Sequence, residues 1–431
     1  MRAKDARIIR EQETIALLES DAPGGILQRA LAPAGWELES WQLGAVHHRP
    51  GAGVTGVYSI DVRPAGDACG AQRRSSPVPG PAPLPVPTHA CITSCVIQQG
   101  ADAVAVVHRR GAGALSVWVH PFDPLLPGLP LALDPERSTP FAFGPGLEPG
   151  DTLLELRSYR PLRRAVVLAR NGDERRYLKV LRRQGAASLA ERHRMLRAAG
   201  VPAPVLAGEP MQDVVAMHPA PGTPLAELLM RDGATDVDPA ALVHVLTSLP
   251  PAVLALPVRP PWAARVRDYG EGAVAALPSE AARIRRLAAA IDDAVRSSDA
   301  GPLVPTHGDF YEGNILITDG AVSGLLDVDA LGPGRFVDDL ACFLGHVAVL
   351  PGLHAGYAHV PQALLRFLRA FDEQVDPAAL RSRAAAVSLT LVAGARSRTG
   401  GDDGAAEALS RLAVAEQFLT EARAVAGRRR S

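Results

Sequence analysis

The sequence predicts an α+β protein in which a β-rich first half precedes a helical second half. Short runs of β-branched residues, separated by turn residues, dominate the chain up to about residue 220. Longer helical patterns dominate after about residue 225. The order of these patterns predicts three parts: an antiparallel-β module over 1–150, a small β-rich lobe over 151–220 and a helical lobe over 221–431.

The N-terminal part is predicted to begin with a charged helix over 3–20 and to continue as strands. The β-rich runs are 54–62, 90–98, 102–110 and 114–120. Gly-Ala-Gly at 111–113 predicts a hairpin turn between the last two runs, and the Pro-, Gly- and Ser-rich segment 64–88 predicts a long loop. His47 and His48 are predicted to lie in a loop.

The small lobe contains a strong hairpin signal. Its β-rich runs are 153–161, 164–170 and 175–182. The turn 171–174 separates the last two runs, and its dipeptide Asn171-Gly172 favours a hairpin because both central positions of such turns need positive φ. A strand at 213–219 follows later.

Helix boundaries can also be predicted from capping residues. The pattern over 188–200 predicts a helix that ends at Gly200, before two prolines that forbid its continuation. Thr223 and Pro224 predict the start of the first helix of the large lobe, with Thr223 as N-cap and Pro224 at the first helical position.

Composition excludes several classes of function. The net charge of -1 and an aromatic content of 4% argue against a nucleic-acid partner. No run of eighteen apolar residues occurs and the N-terminus is charged throughout, so neither a membrane span nor a secretory signal is expected. Four cysteines in 431 residues do not make a disulfide framework. We therefore expect a cytoplasmic protein.

The segment from Thr306 to Ala330 carries the chemistry. His-Gly-Asp at 307–309 is followed by Asn314, a hairpin, and an apolar run that ends in Asp327. Histidine, aspartate and asparagine at this spacing, with an aspartate after the hairpin, are the arrangement of a kinase catalytic loop and metal loop. A carboxylate can take the proton of an acceptor hydroxyl, and the asparagine and second aspartate are the hard oxygen ligands that Mg²⁺ prefers.

Two rare residue types support the same interpretation. Lys179 on a predicted strand is the only lysine besides Lys4, and Asn314 is the only asparagine besides Asn171. In a chain that uses arginine almost everywhere, a single strand lysine suggests that a compact ammonium is needed there. Such a lysine pairs with a glutamate of the following helix in kinases, which predicts Glu191 as its partner.

These motifs resemble the aminoglycoside phosphotransferase and choline kinase superfamily, which are small-molecule kinases with a two-lobed, protein-kinase-like fold. The similarity covers about 150–430 and rests on HGDFYEGNIL, LLDVDALGPG and DDLA, besides Lys179 and its helix. It implies transfer of the γ-phosphate of ATP, with Mg²⁺, to a hydroxyl of a small molecule. It also implies roles for single residues: Asp309, with His307 and Asp339, in catalysis; Lys179, Glu191, Arg164, Met217 and His218 in nucleotide binding; and Asn314, Asp327 and Asp329 at the metal.

The chain departs from this pattern in two places. The turn 159–164 contains arginines where the family often has Gly or Ser, so Arg164 and its neighbours are predicted to contact phosphates. The module over 1–150 is an addition to the family core. Its position resembles the cap of maltokinase-like sugar kinases, although the catalytic segment does not.

Several alternatives stay open. Aminoglycosides, amino sugars and sugars are all candidate acceptors, whereas choline is disfavoured because few aromatics occur in the helical lobe. A catalytically silent nucleotide-binding protein whose β-module binds a partner is the alternative function. Oligomeric state and the choice of ATP over GTP are not predicted.

Two further groups have a structural and a functional interpretation. The zinc-ligand types in the N-terminal part favour core packing over metal binding, because the spacing is not that of a zinc knuckle; they are Cys69, His89, Cys91 and Cys95. The acidic pairs 292–293 and 402–403 could line a cationic acceptor pocket, but solvated helix faces are favoured.

Overall fold

The computed structural model describes residues 3–49, 53–65, 88–97, 105–109, 113–399 and 401–428. The chain divides into two compact units, Met1–Ala187 with Ala207–Met217, and Ser188–Leu206 with His218–Ser431. The class is α+β, with β-sheets mainly in the first unit and helices mainly in the second. The predicted fold class is confirmed. No helix among the described residues is long and apolar enough to cross a membrane.

The first unit begins with two helices and an antiparallel sheet. Its elements are α1 (Ala3–Leu18), α2 (Ala22–Leu31), β1 (Trp36–Arg49), β2 (Gly53–Pro64), β3 (His89–Thr93), β4 (Ala105–Arg109) and β5 (Gly113–Val119). The five strands pair in the order β1-β2-β3-β5-β4. Both helices share one hydrophobic core with the sheet, built around Leu18, Ile26 and Tyr58.

The predicted strands are confirmed where the structure describes them, but two elements before β2 are not in the sequence-based description. Helix α2 and strand β1 are additions, and His47 and His48 lie on β1, so their assignment to a loop is wrong. The position of His48 is fixed by its ring, whose Nε2 lies 3.0 Å from Glu11 Oε2. The predicted loop 64–88 and turn 111–113 lie mostly outside the described residues.

The second sheet of this unit has the order β6-β7-β8-β9 and is antiparallel. Its elements, with the helices before it, are α3 (Leu129–Ala132), α4 (Pro135–Phe143), β6 (Thr152–Arg160), β7 (Arg164–Asn171), β8 (Glu174–Leu181) and β9 (Val214–Met217). Helices α3 and α4 pack with this sheet in a core that is separate from the first one. The sheet thus changes near the predicted division at residue 150, whereas residues 126–143 already belong to the second core, and the division stays a prediction.

The hairpin between β7 and β8 forms over 171–174 as predicted, but Asn171 is not at one of its two central positions. Asn171 pairs with Glu174 at the end of the ladder, so the turn positions are Gly172 and Asp173, and only the glycine has positive φ, at 56°. Asn171 is instead buried, and its amide donates to Glu148 O and to Thr152 Oγ1. Hydrogen bonding explains this asparagine better than turn geometry.

The second unit is mainly helical. Its helices are α5 (Gly185–Ala198, which begins in the first unit), α6 (Leu225–Asp232), α7 (Pro239–Thr247), α8 (Val266–Ala276), α9 (Ala281–Ser297), α10 (Phe336–Val349), α11 (Val360–Asp372), α12 (Pro377–Thr399) and α13 (Gly401–Arg428). Its strands are β10 (Thr223–Pro224), β11 (Leu303–Thr306), β12 (Ile315–Thr318), β13 (Ala321–Leu325) and β14 (Gly332–Arg335).

Two small antiparallel sheets in this unit hold the segment with the kinase-like motifs. Strand β11 pairs with β14, and β12 pairs with β13 and β10. The predicted helix end at Gly200 is confirmed, since its φ is 72°. The predicted N-cap is wrong: Thr223 is paired with Ile317 in β10, and Pro224 precedes the first residue of α6 without a side-chain cap.

We expect that Asn171→Gly lowers the melting temperature as much as Asn171→Ala does. Both changes remove a buried amide with two hydrogen bonds, at a cost of about 1–3 kcal/mol. Thermal unfolding measures this, with the exposed Asp173→Ala as control. If Asn171 served the turn, Gly would be tolerated there and only Ala would destabilise.

Candidate active site

The loop between β11 and β12 carries the His-Gly-Asp segment, and its first turn needs a glycine. Gly308 has φ 80°, and a Cβ at this position would lie 2.7 Å from Ala330 O. A larger residue would therefore meet both backbone strain and a main-chain clash. Just before the loop, Thr306 Oγ1 donates to Gly332 O at 2.8 Å, which ties the end of β11 to β14.

A buried carboxylate from helix α10 holds this loop. Asp339 Oδ2 accepts from the N–H of His307 at 2.7 Å, and Oδ1 accepts from the N–H of Gly308 at 2.8 Å. Asp339 is 1% exposed. Burial raises the pKa of Asp339 to about 7, although the two N–H donors act in the opposite direction. One side chain thus satisfies two successive buried main-chain donors.

The ring of His307 connects the loop to the end of β13. Its Nε2 lies 2.9 Å from Leu326 O, and its Nδ1 accepts from the N–H of Asp309 at 3.3 Å. A carbonyl can only accept and an N–H can only donate, so these contacts assign the neutral tautomer with the proton on Nε2. The ring is fully buried. It therefore acts on the structure of the loop, next to Asp309 and Asp327.

Asn314 connects the same two segments from the other side. Its Nδ2 donates to Asp309 O at 2.9 Å, and its main-chain carbonyl accepts from the N–H of Leu326 at 2.8 Å. The amide orientation leaves Oδ1 as the atom that can serve as a ligand. The main chains of Asp309, Asn314 and Asp327 are thereby held close together, although the three are up to 18 positions apart in sequence.

Asp327 lies in an unusual backbone conformation directly after this contact. Its φ and ψ are 54° and 50°, in the left-handed region that few residues other than glycine adopt. Strain of this kind collects at functional sites. Asp329 follows in the short 3₁₀ turn Val328–Ala330 and, like Asp327, is half-buried.

The donor set fits Mg²⁺, which takes few protein ligands and completes its shell with phosphate and water. Asn314, Asp327 and Asp329 offer hard oxygens from two adjacent segments. In the part of the chain that the structure describes, no group of three or more His, Cys, Asp or Glu side chains could hold a metal by itself.

The cysteines of the N-terminal part have a packing role where the structure describes them. Cys91 and Cys95 share a hydrophobic cluster, and Cys69 lies outside the described residues.

Glu312, which sequence reasoning did not select, is the most unusual carboxylate of the loop. It is 6% exposed, and its Oε2 is buried without a hydrogen-bond partner among the described residues. Burial raises its pKa to about 7. Burial raises the pKa of the Cys342 thiol on α10, and Asp309 and Glu312 both add to this, so the two carboxylates lie near the same point. No sequence pattern distinguishes this buried glutamate from an exposed one.

Arg192 on α5 is a second group that the sequence did not single out. It is 4% exposed, and its Nε donates to Leu331 O at 3.4 Å, just after the turn that carries Asp329. Burial lowers its pKa, Arg259 adds to this, and the negative charge of Asp329 opposes it. Arg192 therefore stabilises the segment that holds the predicted metal ligands. It is one of many arginines in the chain, so no sequence signal marks it.

The predicted nucleotide-binding residues of the first unit lie on its second sheet. Lys179 on β8 is paired with Val166 and Val215 on its two neighbours and is 6% exposed. Met217 ends β9. Arg164 begins β7 and is half-buried.

The other predicted nucleotide-binding residues belong to the second unit. Glu191 has a side chain that is 63% exposed and lies 3.6 Å from Arg194, so its exposure counts against the predicted pairing with Lys179, which stays a prediction. The N–H of His218 donates to Val205 O. The division between the two units falls between Met217 and His218.

The acidic pair at 292–293 has a structural explanation. Asp292 is 5% exposed and lies 2.5 Å from Arg267 and 2.9 Å from Arg296. Two arginines offset its charge, which makes it a poor receptor for a cationic acceptor. The side chains of residues 402–403 lie outside the described part.

A comparison with protein families decides which family this fold and this loop represent. The phosphotransferase enzyme family matches residues 155–382, more than half of the chain. The chain belongs to this family. The resemblance inferred from the motifs is confirmed.

One curated protein is similar to part of this chain. A glucosamine kinase of Streptacidiphilus jiangxiensis is 33% identical over 160 residues, which are 34% of this chain and 35% of that kinase. The match thus spans about a third of that relative's length.

Solved structures are also similar. An ethanolamine kinase of Plasmodium vivax has 11% identity, with 66% of this chain and 87% of that chain covered and a TM-score of 0.46. A choline/ethanolamine kinase family protein of Mesorhizobium loti has 19% identity, with 68% and 96% covered and a TM-score of 0.46. With TM-scores below 0.5, these likenesses support no conclusion about the substrate.

We expect that Asp339→Asn lowers kcat of the phosphotransferase by about 100-fold, since misplacement of a catalytic loop by about 1 Å has effects of that size. The amide can accept only one of the two N–H groups and turns its own donors toward the other. Steady-state kinetics and thermal unfolding measure the effect, with exposed Asp319→Asn as control. Unchanged kcat would contradict the role of this carboxylate.

Proposed function

We propose that this protein transfers the γ-phosphate of ATP to a hydroxyl of a small, amine-bearing, sugar-like acceptor. The proposal rests on the contacts that Asp339, His307 and Asn314 make. These contacts hold the segments of Asp309 and Asp327 together. Such contacts bring the main chains of these segments together, and phosphoryl transfer requires a carboxylate and hard oxygen ligands in one place.

In this proposal Asp309 orients the acceptor hydroxyl and takes its proton. The bond between the acceptor oxygen and the γ-phosphorus forms, the bond from that phosphorus to the bridging oxygen breaks, and ADP leaves. Asn314 and Asp327, with Asp329 nearby, would hold Mg²⁺, which neutralises charge on the phosphates.

The nucleotide would be held by the first unit's second sheet and the segment that follows it. Lys179 would contact the α- and β-phosphates and Arg164 the phosphates at the β6–β7 turn, while Met217 and His218 would contact the adenine. The predicted parts then have separate roles. An added module spans 1–150, the nucleotide-binding part spans 151–220, and the helical part with the catalytic and metal loops spans 221–431. Cytoplasmic location and the lack of a nucleic-acid partner stay predictions.

The buried carboxylate of Glu312 supports an acceptor with an amine. An unpartnered buried oxygen costs free energy unless a ligand satisfies it, and an ammonium group does so with both charge and hydrogen bonds. Glu312 is three residues from Asp309 on the same loop. The partial similarity to a protein named glucosamine kinase agrees with an amino sugar as acceptor.

We expect that Asp309→Asn lowers kcat by about 100-fold or more, because a general base contributes about 10²–10⁴-fold. ADP release is measured across amino sugars, aminoglycosides, neutral sugars and macrolides with Mg-ATP, and Asp319→Asn serves as control. Chelation of Mg²⁺ should abolish turnover. A slow ATP hydrolysis that no acceptor raises and that Asp309→Asn does not change would favour the catalytically silent alternative.

We expect Glu312→Gln to have opposite effects on binding and on stability. A folded-state pKa of about 7, against an ordinary 4.5, means that between these values the folded state keeps a proton that the unfolded state loses. The free energy of unfolding therefore falls as pH rises through this range. The amide removes this penalty, so the variant should melt higher than wild type at about pH 8, with little difference near the ordinary pKa of 4.5.

The same variant should raise KM for amine-bearing acceptors about tenfold at about pH 8, because a charge-assisted hydrogen bond is lost. KM for neutral sugars and for ATP should change little. The exposed Glu373→Gln serves as control. A destabilised variant with unchanged KM values would mean that Glu312 has a structural partner and no part in acceptor binding.

A further inference from the structure

The turn between β6 and β7 has a residue in a conformation that its neighbours must enforce. Leu162 lies at the centre of this turn with φ 61° and is 4% exposed. A branched side chain rarely adopts the left-handed region, which is normally left to glycine. In kinases a glycine-rich loop at this place covers the phosphates of ATP. Here the turn has arginines and a buried leucine instead.

Two side chains hold both main-chain groups of Leu162. Its N–H donates to Asp123 Oδ2 at 2.8 Å, and its carbonyl accepts from Arg182 Nε at 2.5 Å. Asp123 lies in the segment after β5 and is 3% exposed. The same Oδ2 accepts from Tyr159 Oη at 2.9 Å, and Oδ1 accepts from the N–H of Leu125 at 2.9 Å.

The side chain of Leu162 packs against the sheet of the N-terminal module. It forms a hydrophobic cluster with Cys91 on β3 and Trp118 on β5. Trp118 Nε1 donates to Tyr159 Oη at 3.3 Å, and Cys91 Sγ lies 3.7 Å from the same oxygen. Tyr159 therefore links the module, Asp123 and the turn through one hydroxyl.

The charges of the turn also act on strand β1 of the module. Burial lowers the pKa of His47, and the positive charges of Arg160 and Arg163 add to this. Direct contacts between the module and the turn come from β3, β5 and Asp123. Helices α1 and α2 share the other core of the module and are not part of this cluster.

We propose that the N-terminal module positions the β6–β7 turn for the phosphates of ATP, with Asp123 and Tyr159 as positioning residues. The module replaces the freedom of a glycine-rich loop by external hydrogen bonds that fix Leu162 and, with it, the direction of Arg163 and Arg164. The inference rests on the proposed function, since it requires that ATP binds at this turn. It gives the module a role in nucleotide affinity that does not involve the acceptor.

The test compares Tyr159→Phe and Asp123→Asn with Tyr58→Phe. Tyr58 is a buried tyrosine of the N-terminal module whose hydroxyl donates to Leu18 O at 2.8 Å, in the core beside the helices. Its loss should destabilise the module without affecting the turn. Hydrogen exchange of a peptide containing the Leu162 amide is followed by mass spectrometry, and binding of a non-hydrolysable ATP analogue with Mg²⁺ is measured by calorimetry.

We expect faster exchange at Leu162 in Tyr159→Phe and Asp123→Asn, with a Kd for the ATP analogue raised about 3–10-fold by the loss of one or two hydrogen bonds. KM for the acceptor should stay the same. Tyr58→Phe should lower only the melting temperature.

Three results would overturn the inference while leaving the proposed function intact: unchanged exchange at Leu162, faster exchange with an unchanged Kd, or an equal rise of Kd in Tyr58→Phe. Failure of the wild-type protein to bind the analogue would instead refute the proposed function, and the inference with it.

Discussion

The candidate active site depends on the carboxylate of Asp339. It is buried in helix α10 and binds the two successive N–H groups of His307 and Gly308. Without it, two buried donors would lack partners, and the main chain that places the His307 ring against Leu326 O would lose its support. Both the segment of Asp309 and the segment of Asp327 therefore depend on one buried side chain for their shape. Its raised pKa reflects how strongly this part of the protein excludes water.

Much of this arrangement could be predicted from the sequence because phosphoryl transfer restricts residue types and spacing. A hairpin between Asn314 and Asp327 brings Asp327 back toward the segment of Asp309 and Asn314, and turn residues mark that hairpin in the sequence. Lysine and asparagine are rare in this chain, which is why Lys179 and Asn314 could be selected as candidate site residues. Most strands and helices were also predictable, since the period of hydrophobic residues differs between the two kinds of element.

The remaining features depend on contacts between distant segments, which no local pattern reveals. Asn171 belongs to an Asn-Gly dipeptide that is typical of turns, but its hydrogen bonds to Glu148 and Thr152 decide its position. Burial of Glu312 and exposure of Glu191 follow from packing around them. The hydrogen bond from the N–H of Leu162 to Asp123 joins residues 39 positions apart. It helps to hold this leucine at a positive φ, which is typical of glycine.

A crystal structure with Mg²⁺ and a non-hydrolysable ATP analogue tests the central claim most directly. The account predicts a metal ion about 2.0–2.1 Å from Asn314 Oδ1 and an Asp327 oxygen, with the γ-phosphate facing Asp309. A nucleotide whose metal contacts neither residue, or whose γ-phosphate lies away from Asp309, would contradict it.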